Sequence, residues 1–267
     1  LDLTTAPSHP KTETDAGILP RDIRGATILQ VLPALVTGGV ERGTVDIAEA
    51  VVAAGGRAIV ASAGGPMVTE LNRAHAEHVT LPLDSKNPFV VFKNIDRLVE
   101  LITRENVNIV HARSRAPAWS AYRAARLTGR AFLTTYHGTY GHGNALKRWY
   151  NSVMVNGERV IAISDFIAGH IRRIYGVQTN RIRVIPRGVD MARFDSHNIS
   201  QERVINLALR WRLPDGMPVV MLPGRLTRWK GQAIFIDAIE KLGRHDIQCL
   251  LVGSDQGRDG YRRELHQ

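Results

Sequence analysis

Pro223-Gly224-Arg225-Leu226-Thr227-Arg228-Trp229-Lys230-Gly231 stands between a short apolar run, 219–222, and an amphipathic one, 233–242. A strand therefore stops, a Gly-bearing turn intervenes and a helix begins. Free backbone N–H groups at such a helix start attract anions, and Arg225 and Lys230 add two fixed charges beside them. The planar fork of Arg grips phosphate through paired hydrogen bonds, whereas Lys acts as a compact point charge. The chemistry indicated is recognition of a diphosphate, most simply that of a nucleotide-sugar. A solvated basic turn in an unrelated α/β protein is the competing reading, and these nine residues alone do not separate the two.

Outward from this turn the pattern repeats. From residue 27 onward, short apolar runs rich in β-branched residues alternate with longer helical ones. Strands are predicted at 27–32, 57–62, 79–83, 108–112, 131–136, 159–163 and 183–185. Helices are predicted near 41–54, 67–77, 89–105, 116–128, 144–156 and 165–175. The clearest is 89–105, where Phe92, Ile95, Leu98, Val99 and Ile102 recur at spacings of three and four, giving one apolar face. Ser164 stands where a helix N-cap is expected and Gly176 where that helix should stop. Alternation at this spacing implies right-handed βαβ crossovers and a mainly parallel sheet covered on both faces. The fold class expected is therefore α/β, a doubly wound, Rossmann-like domain over 25–190. A linker with a helix at 201–212 follows over 191–216. Residues 217–267 then supply the first βαβ unit of a second, similar domain, with its second strand at 247–252. That stretch is short for a whole domain of this type, so the chain reads as a fragment of a longer protein. The polar, Pro-bearing residues 1–24 read as a disordered lead-in, lacking the apolar core of a signal peptide.

Composition narrows the partners. Of 267 residues, 44% are hydrophobic and 22% charged, the balance of a soluble globular protein. No apolar run approaches the roughly 18 residues of a membrane span. The lone Cys249, in an apolar run, excludes an internal disulfide or a cysteine-based zinc site and reads as a buried structural thiol, which fits a reducing cytoplasm. A formal charge of +10 and a pI near 10.2 call for an acidic partner: nucleic acid, an anionic membrane or a phosphorylated small molecule. The basic residues are scattered, without the dense tract or aromatic platform of a nucleic-acid binder, so no specific nucleic acid is expected.

Other residues cluster at carboxyl ends of predicted strands, where open α/β sheets bind ligands. The first strand leads into Gly38-Gly39-Val40-Glu41-Arg42-Gly43, and paired Gly residues let a backbone approach a ligand closely. The spacing is not G-x-G-x-x-G, and no acidic residue closes the second strand, which disfavours a nicotinamide-dinucleotide. A tight turn without a ligand remains open for this loop. His111 and Tyr136-His137-Gly138 take similar positions facing the crevice, and His137 is placed to donate a hydrogen bond to a sugar hydroxyl or a developing charge. A structural or merely exposed role is the alternative for each. Arg113, Ser114 and Arg115 follow His111 and line the same crevice or face solvent. A metal pair of His137 and His142 lacks helical spacing and a carboxylate partner, so no metal or other cofactor is expected. Lys147-Arg148-Trp149-Tyr150 opens a helix suited to an anionic headgroup or an acceptor, or to an ordinary snorkelling surface.

Taken together, these segments resemble the GT-B-fold retaining glycosyltransferases of family 4, the glycosyltransferase group 1 enzymes. The likeness runs from about Ile28 to the last residue, through the Gly38-Gly39 loop, Tyr136-His137-Gly138 and Val160-Ile161-Ala162-Ile163-Ser164. It continues through Val184-Ile185-Pro186-Arg187-Gly188-Val189-Asp190, then Gly224–Gly231, and Leu250-Leu251-Val252-Gly253. The resemblance implies a nucleotide-sugar donor held in a cleft between two domains, the first of which holds the acceptor. It implies that Arg225 and Lys230 neutralise the departing diphosphate in place of a metal, and that Gly38, Gly39 and Gly253 belong to the donor site. His137 would contact the transferred sugar and help stabilise positive character at its anomeric carbon. His111, Arg113 and Arg115 fall on the acceptor side. Retention of configuration is expected, with a cell-envelope glycolipid or polysaccharide precursor as acceptor and peripheral contact with an anionic membrane.

One departure is plain. Family members carry a Glu-x7-Glu motif later in the second domain, beyond the last residue here, so neither carboxylate is assigned and the donor nucleotide is not readable. A truncated, non-catalytic acceptor- or membrane-binding module of the same fold is the alternative.

Overall fold

Side-chain alternation along two strands shows how the sheet is built. In a computed structural model, which describes residues 22–255, 257 and 259–266, the first strands are β1 (Thr27–Val31) and β2 (Arg57–Ser62). Leu29, Val31, Ile59 and Ala61 enter one apolar core, whereas Ile28, Ala58 and Val60 line another. Successive residues of a strand point to opposite faces, so both faces of this sheet are covered. Residues 1–21, most of the lead-in read from sequence, lie outside the described residues.

The remaining strands of this sheet are β3 (Glu77–Thr80), β4 (Ile109–Ala112), β5 (Ala131–Tyr136), β6 (Arg159–Ala162) and β7 (Ile182–Val184). All seven are parallel, in the order β3-β2-β1-β4-β5-β6-β7. The order reverses between β1 and β4, which opens a crevice at their carboxyl ends. Helices α1 (Gly39–Ala53) and α2 (Val68–Arg73) cover one face through Val45, Ala48, Val51 and Leu71. The other face is covered by α3 (Pro88–Arg104), α4 (Arg115–Leu127) and α6 (Asp165–Tyr175). The buried face of α4 is built of Ala118, Ala121, Ala124 and Ala125, small side chains that let α3 and the sheet approach closely. A buried hydrogen bond joins sheet to helix: Gln30 Nε2 donates to the Thr44 carbonyl of α1 at 2.9 Å.

The predicted caps are present. The Ser164 hydroxyl accepts from the Ile167 amide at 3.3 Å and Gly176 closes α6 in the left-handed region. Asn87 caps α3 by accepting from the Phe89 amide at 3.0 Å, with Pro88 in the first helical turn where its missing N–H costs nothing. The expected apolar face of α3 needs one correction: Phe92 is 69% exposed, while Asn94 turns inward and donates to the Pro82 carbonyl at 2.9 Å. β3 begins two residues earlier than predicted and ends before Pro82, which has no N–H for a ladder. The helix predicted over 144–156 ends as α5 (Ala145–Ser152) and tightens into a 3₁₀ turn, Val153–Val155. There Thr134 Oγ1 donates to the Met154 carbonyl at 2.6 Å and the three side chains are buried.

The chain divides into two compact units, the first ending at Gly188 and the second beginning at Val189. The second contains α7 (Met191–Phe194), α8 (Gln201–Trp211), β8 (Val219–Pro223), α9 (Gln232–Leu242), β9 (Gln248–Val252) and α10 (Asp259–Glu264). β8 and β9 pair in parallel. Val219, Val220 and Met221 of β8 and Ile234 of α9 are exposed. Cys249 is half-buried in β9 rather than enclosed, because this two-stranded sheet is thinly covered. Among the described residues no helix is long and apolar enough to cross a membrane.

Candidate functional site

In the first unit the functional residues meet at the carboxyl ends of β1, β4, β5 and β7. α1 starts at Gly39 with Gly38 extended before it and no side chain capping the first amides. An uncapped start to a 15-residue helix leaves N–H groups and positive dipole facing the crevice. Two guanidiniums lie against it. Arg113 follows β4, is 4% exposed, and has an Nε without a hydrogen-bond partner. Arg187 follows β7; it donates from Nη1 to the Gly39 carbonyl and from Nη2 to His137 Nδ1, the latter at 2.7 Å.

Gly43 makes room for both cations. A Cβ there would stand 3.0 Å from Arg113 Nη2 and 3.2 Å from Arg187 Nη1. The charges act on one another: burial and then Arg187 lower the Arg113 guanidinium to about 10, with Asp46 opposing. The Asp46 carboxyl is itself raised, first by burial, and Arg42 lowers it. Arg42 pairs with Glu70 and also lies 3.8 Å from Asp46 through Nη1. The Glu41 carboxylate lies against Gly38 in the first turn of α1 and, like Asp46, acts on Arg187, so the concavity sets two guanidiniums and two carboxylates beside the helix start.

His137 is the neutral member of the cluster. Burial first, then Arg113 and Arg187, lower its pKa to about 3. Its Nε2 is buried without a partner. His111, expected in the same crevice, lies buried beside the cluster: it is 4% exposed, bonds Thr135 Oγ1 through Nε2 at 2.8 Å, and feels the charges of Arg113 and His137. Its strand position faces the interior, where burial holds its pKa well below the usual histidine value. Arg115, by contrast, is placed away from the Arg113 cluster. Its Nη1 donates to Asn151 Oδ1 at 2.9 Å and its guanidinium lies 4.2 Å from the Tyr140 ring centroid. Arg115 thereby lines a second cavity of about 460 Å³ with Leu146, Lys147, Trp149 and Tyr150. His142 packs against the His170 ring at 5.3 Å, and no three His, Cys, Asp or Glu side chains converge as metal ligands among the described residues.

The second unit carries the turn that opened the sequence reading. β8 ends at Pro223, and Arg228–Lys230 form a 3₁₀ turn leading through Gly231 into α9. No side chain caps α9. Gln232, fully buried, donates to the Arg225 carbonyl at 2.9 Å and fixes the loop from below. The Lys230 stem passes within 3.7 Å of a Cβ built on Gly224, and its ammonium lies 4.4 Å from the Trp229 ring. Arg228 is spent on Glu264 of α10, with one bond at 2.6 Å. Gly253 lets two backbones touch: a Cβ there would overlap the Gly224 carbonyl. Gly253 also lines a cavity of about 490 Å³ at this end of the strands, with Leu226, Ser254 and Asp255.

Arg187, Gly43 and Asp46 are the site residues that sequence reasoning did not single out. Arg187 follows Pro186 after a strand, a position with a readable signal, whereas Asp46 reads as an ordinary residue of an amphipathic helix.

This doubly wound parallel sheet, with its crevice at the switch point, is the architecture of a Rossmann-like domain of the GT-B fold. The Glycosyltransferase Family 4 profile matches residues 37–193, more than half of the chain, and the chain belongs to that family. A glycosyltransferase structure from Rickettsia africae ESF-5 superposes with a TM-score of 0.78 at 40% identity, over 90% of this chain and 64% of that one. The Anabaena protein Alr3699/HepE, solved with UDP-glucose, has a TM-score of 0.74 at 23% identity, covering 90% of this chain and 64% of its own, a likeness of fold. The D-inositol 3-phosphate glycosyltransferase of Xylanimonas cellulosilytica is 31% identical over 121 residues, 42% of this chain. The chain spans 64% of the length of the Rickettsia structure and 28% of that curated relative.

Proposed function

We propose that the protein transfers a sugar from a nucleotide-diphosphate donor, with retention of configuration, to a cell-envelope glycolipid or polysaccharide acceptor at the inner face of the cytoplasmic membrane. The observation that carries this reading is the pairing of buried Arg113 and exposed Arg187 with the start of α1, beside neutral His137. Such a cluster suits an anion next to a polar, uncharged group, as a sugar diphosphate presents. Arg225 and Lys230 supply a second pair of cations at the start of α9, without a metal. Fixed cations aimed at a departing diphosphate act where charge develops, which is usually the largest catalytic contribution. The UDP-glucose bound by the Anabaena protein of the same fold supports the donor class.

The acceptor side rests on α5. Leu146 is 72% and Trp149 60% exposed, on either side of Lys147 and Arg148 in the chain. Apolar and aromatic side chains flanked by cations suit an anionic lipid surface.

A transfer assay with radiolabelled UDP-, GDP- and ADP-sugars and lipid-linked acceptors tests the proposal. Transfer from one donor class, with the anomeric configuration preserved by NMR, is the expected result. Arg225→Ala or Lys230→Ala should lower turnover roughly 100- to 1000-fold, by analogy with lost oxyanion-hole donors. Near wild-type transfer by either variant would sink the assignment of these cations. Binding to anionic vesicles without affinity for any nucleotide-sugar would favour a non-catalytic acceptor module instead.

A further inference from the structure

We propose that Arg187 is a positioning residue that fixes His137 in the tautomer carrying its proton on Nε2. The inference rests on the proposed role of His137 toward the donor sugar only for its catalytic consequence; the tautomer itself follows from geometry.

Arginine has five N–H donors and no acceptor. Its Nη2 lies 2.7 Å from His137 Nδ1, so Nδ1 must accept, and a neutral ring then keeps its single proton on Nε2. A protonated ring would set an N–H against an N–H and add a third positive charge beside Arg113 and Arg187. Burial and these two cations hold the ring neutral. The other side of the guanidinium is anchored on the Gly39 carbonyl, so the ring plane is referenced to the start of α1. One side chain thus ties the orientation of a ring on the β5 loop to the helix amides that face the crevice.

The consequence lies at Nε2, which is buried and lacks a partner. An unsatisfied buried N–H is costly, and an oxygen supplied by a ligand relieves that cost. Held this way, His137 is a neutral hydrogen-bond donor to a sugar oxygen rather than a proton-transferring acid. With Nδ1 free, the ring could rotate or shift its proton, and this donor would be lost part of the time.

Long-range ¹H–¹⁵N correlation spectra of uniformly ¹⁵N-labelled protein at neutral pH report the tautomer without any ligand, with the His137 ring assigned by its disappearance in His137→Gln. The expected result is a protonated Nε2 and an unprotonated, hydrogen-bonded Nδ1. In Arg187→Ala the ring should show mixed tautomers, and Arg187→Lys, which still can only donate from its ammonium, should restore the single form. A wild-type ring protonated on Nδ1, or an Arg187→Ala spectrum with the wild-type tautomer, overturns the proposal. Because the measurement needs no substrate, a protein with the expected tautomer but no transfer activity would refute the enzymatic reading and leave the positioning role intact.

Discussion

At Arg113 a cation has been taken almost wholly out of water without a carboxylate bonded to it, and with Arg187 close enough to repel it. Removing an uncompensated buried charge often costs nothing and can stabilise. Arg113→Met, similar in length, is therefore expected to raise stability by about 1 kcal/mol or leave it unchanged, measured by urea unfolding. The same variant should weaken binding of inorganic diphosphate several-fold by calorimetry. A large loss of stability would mean that the guanidinium is a structural group rather than a ligand-facing one. Gly43 carries the complementary prediction. Ala in a helix interior ordinarily gains about 1 kcal/mol over Gly, yet a Cβ here meets both guanidinium heads. Gly43→Ala should keep or raise the melting temperature while lowering anion affinity. At this scale the positions of Gly38, Gly39, His137 and Arg113 after strands are legible in the sequence, because chemistry-bearing residues there are conspicuous, whereas the grouping of Arg113 with Arg187 is not. That the His111 side chain turns in to Thr135 is not legible there, because its direction depends on sheet register and neighbours that no local pattern reveals.

At the scale of elements, strand and helix identities were legible from periodicity, and errors sit at edges and single side chains. β3 lies two to three residues before its apolar run, which continues past the point where Pro82 ends pairing. α5 was drawn too long because hydrophobic spacing does not distinguish a buried α-helical turn from the 3₁₀ turn that Thr134 engages. The same scale explains Gly253. The carbonyl it faces belongs to the backbone of the β8 turn, which cannot swing aside as a guanidinium can. Gly253→Ala is expected to cost about 1–3 kcal/mol through overpacking and to disturb the turn bearing Arg225 and Lys230. Denaturant unfolding followed by Trp229 fluorescence would measure it, and a midpoint matching wild type would argue against this close approach.

For the whole molecule, histidines couple stability to pH. His111 and His137 both have pKa values lowered in the folded chain, His137 to about 3 and His111 well below 6.5, first of all by burial. Below about pH 6.5 the unfolded chain takes up protons at these rings that the folded chain refuses. Their contribution is therefore fully present above that pH and is lost progressively as pH falls toward the folded values. The urea midpoint should decline between pH 7 and pH 5, before most carboxylates titrate, and His111→Asn should flatten that decline. A flat profile would contradict the burial of these rings.

The hydrogen bond from Gln30 to the Thr44 carbonyl has a wider meaning in this light. It joins β1, an interior strand, to the helix five residues past Gly39, away from solvent. The height of the first amides of α1 is therefore keyed to the sheet, and the loop before α1 is relieved of setting it. A ligand arriving there meets a template already cast, and little of its binding energy is spent on ordering the chain.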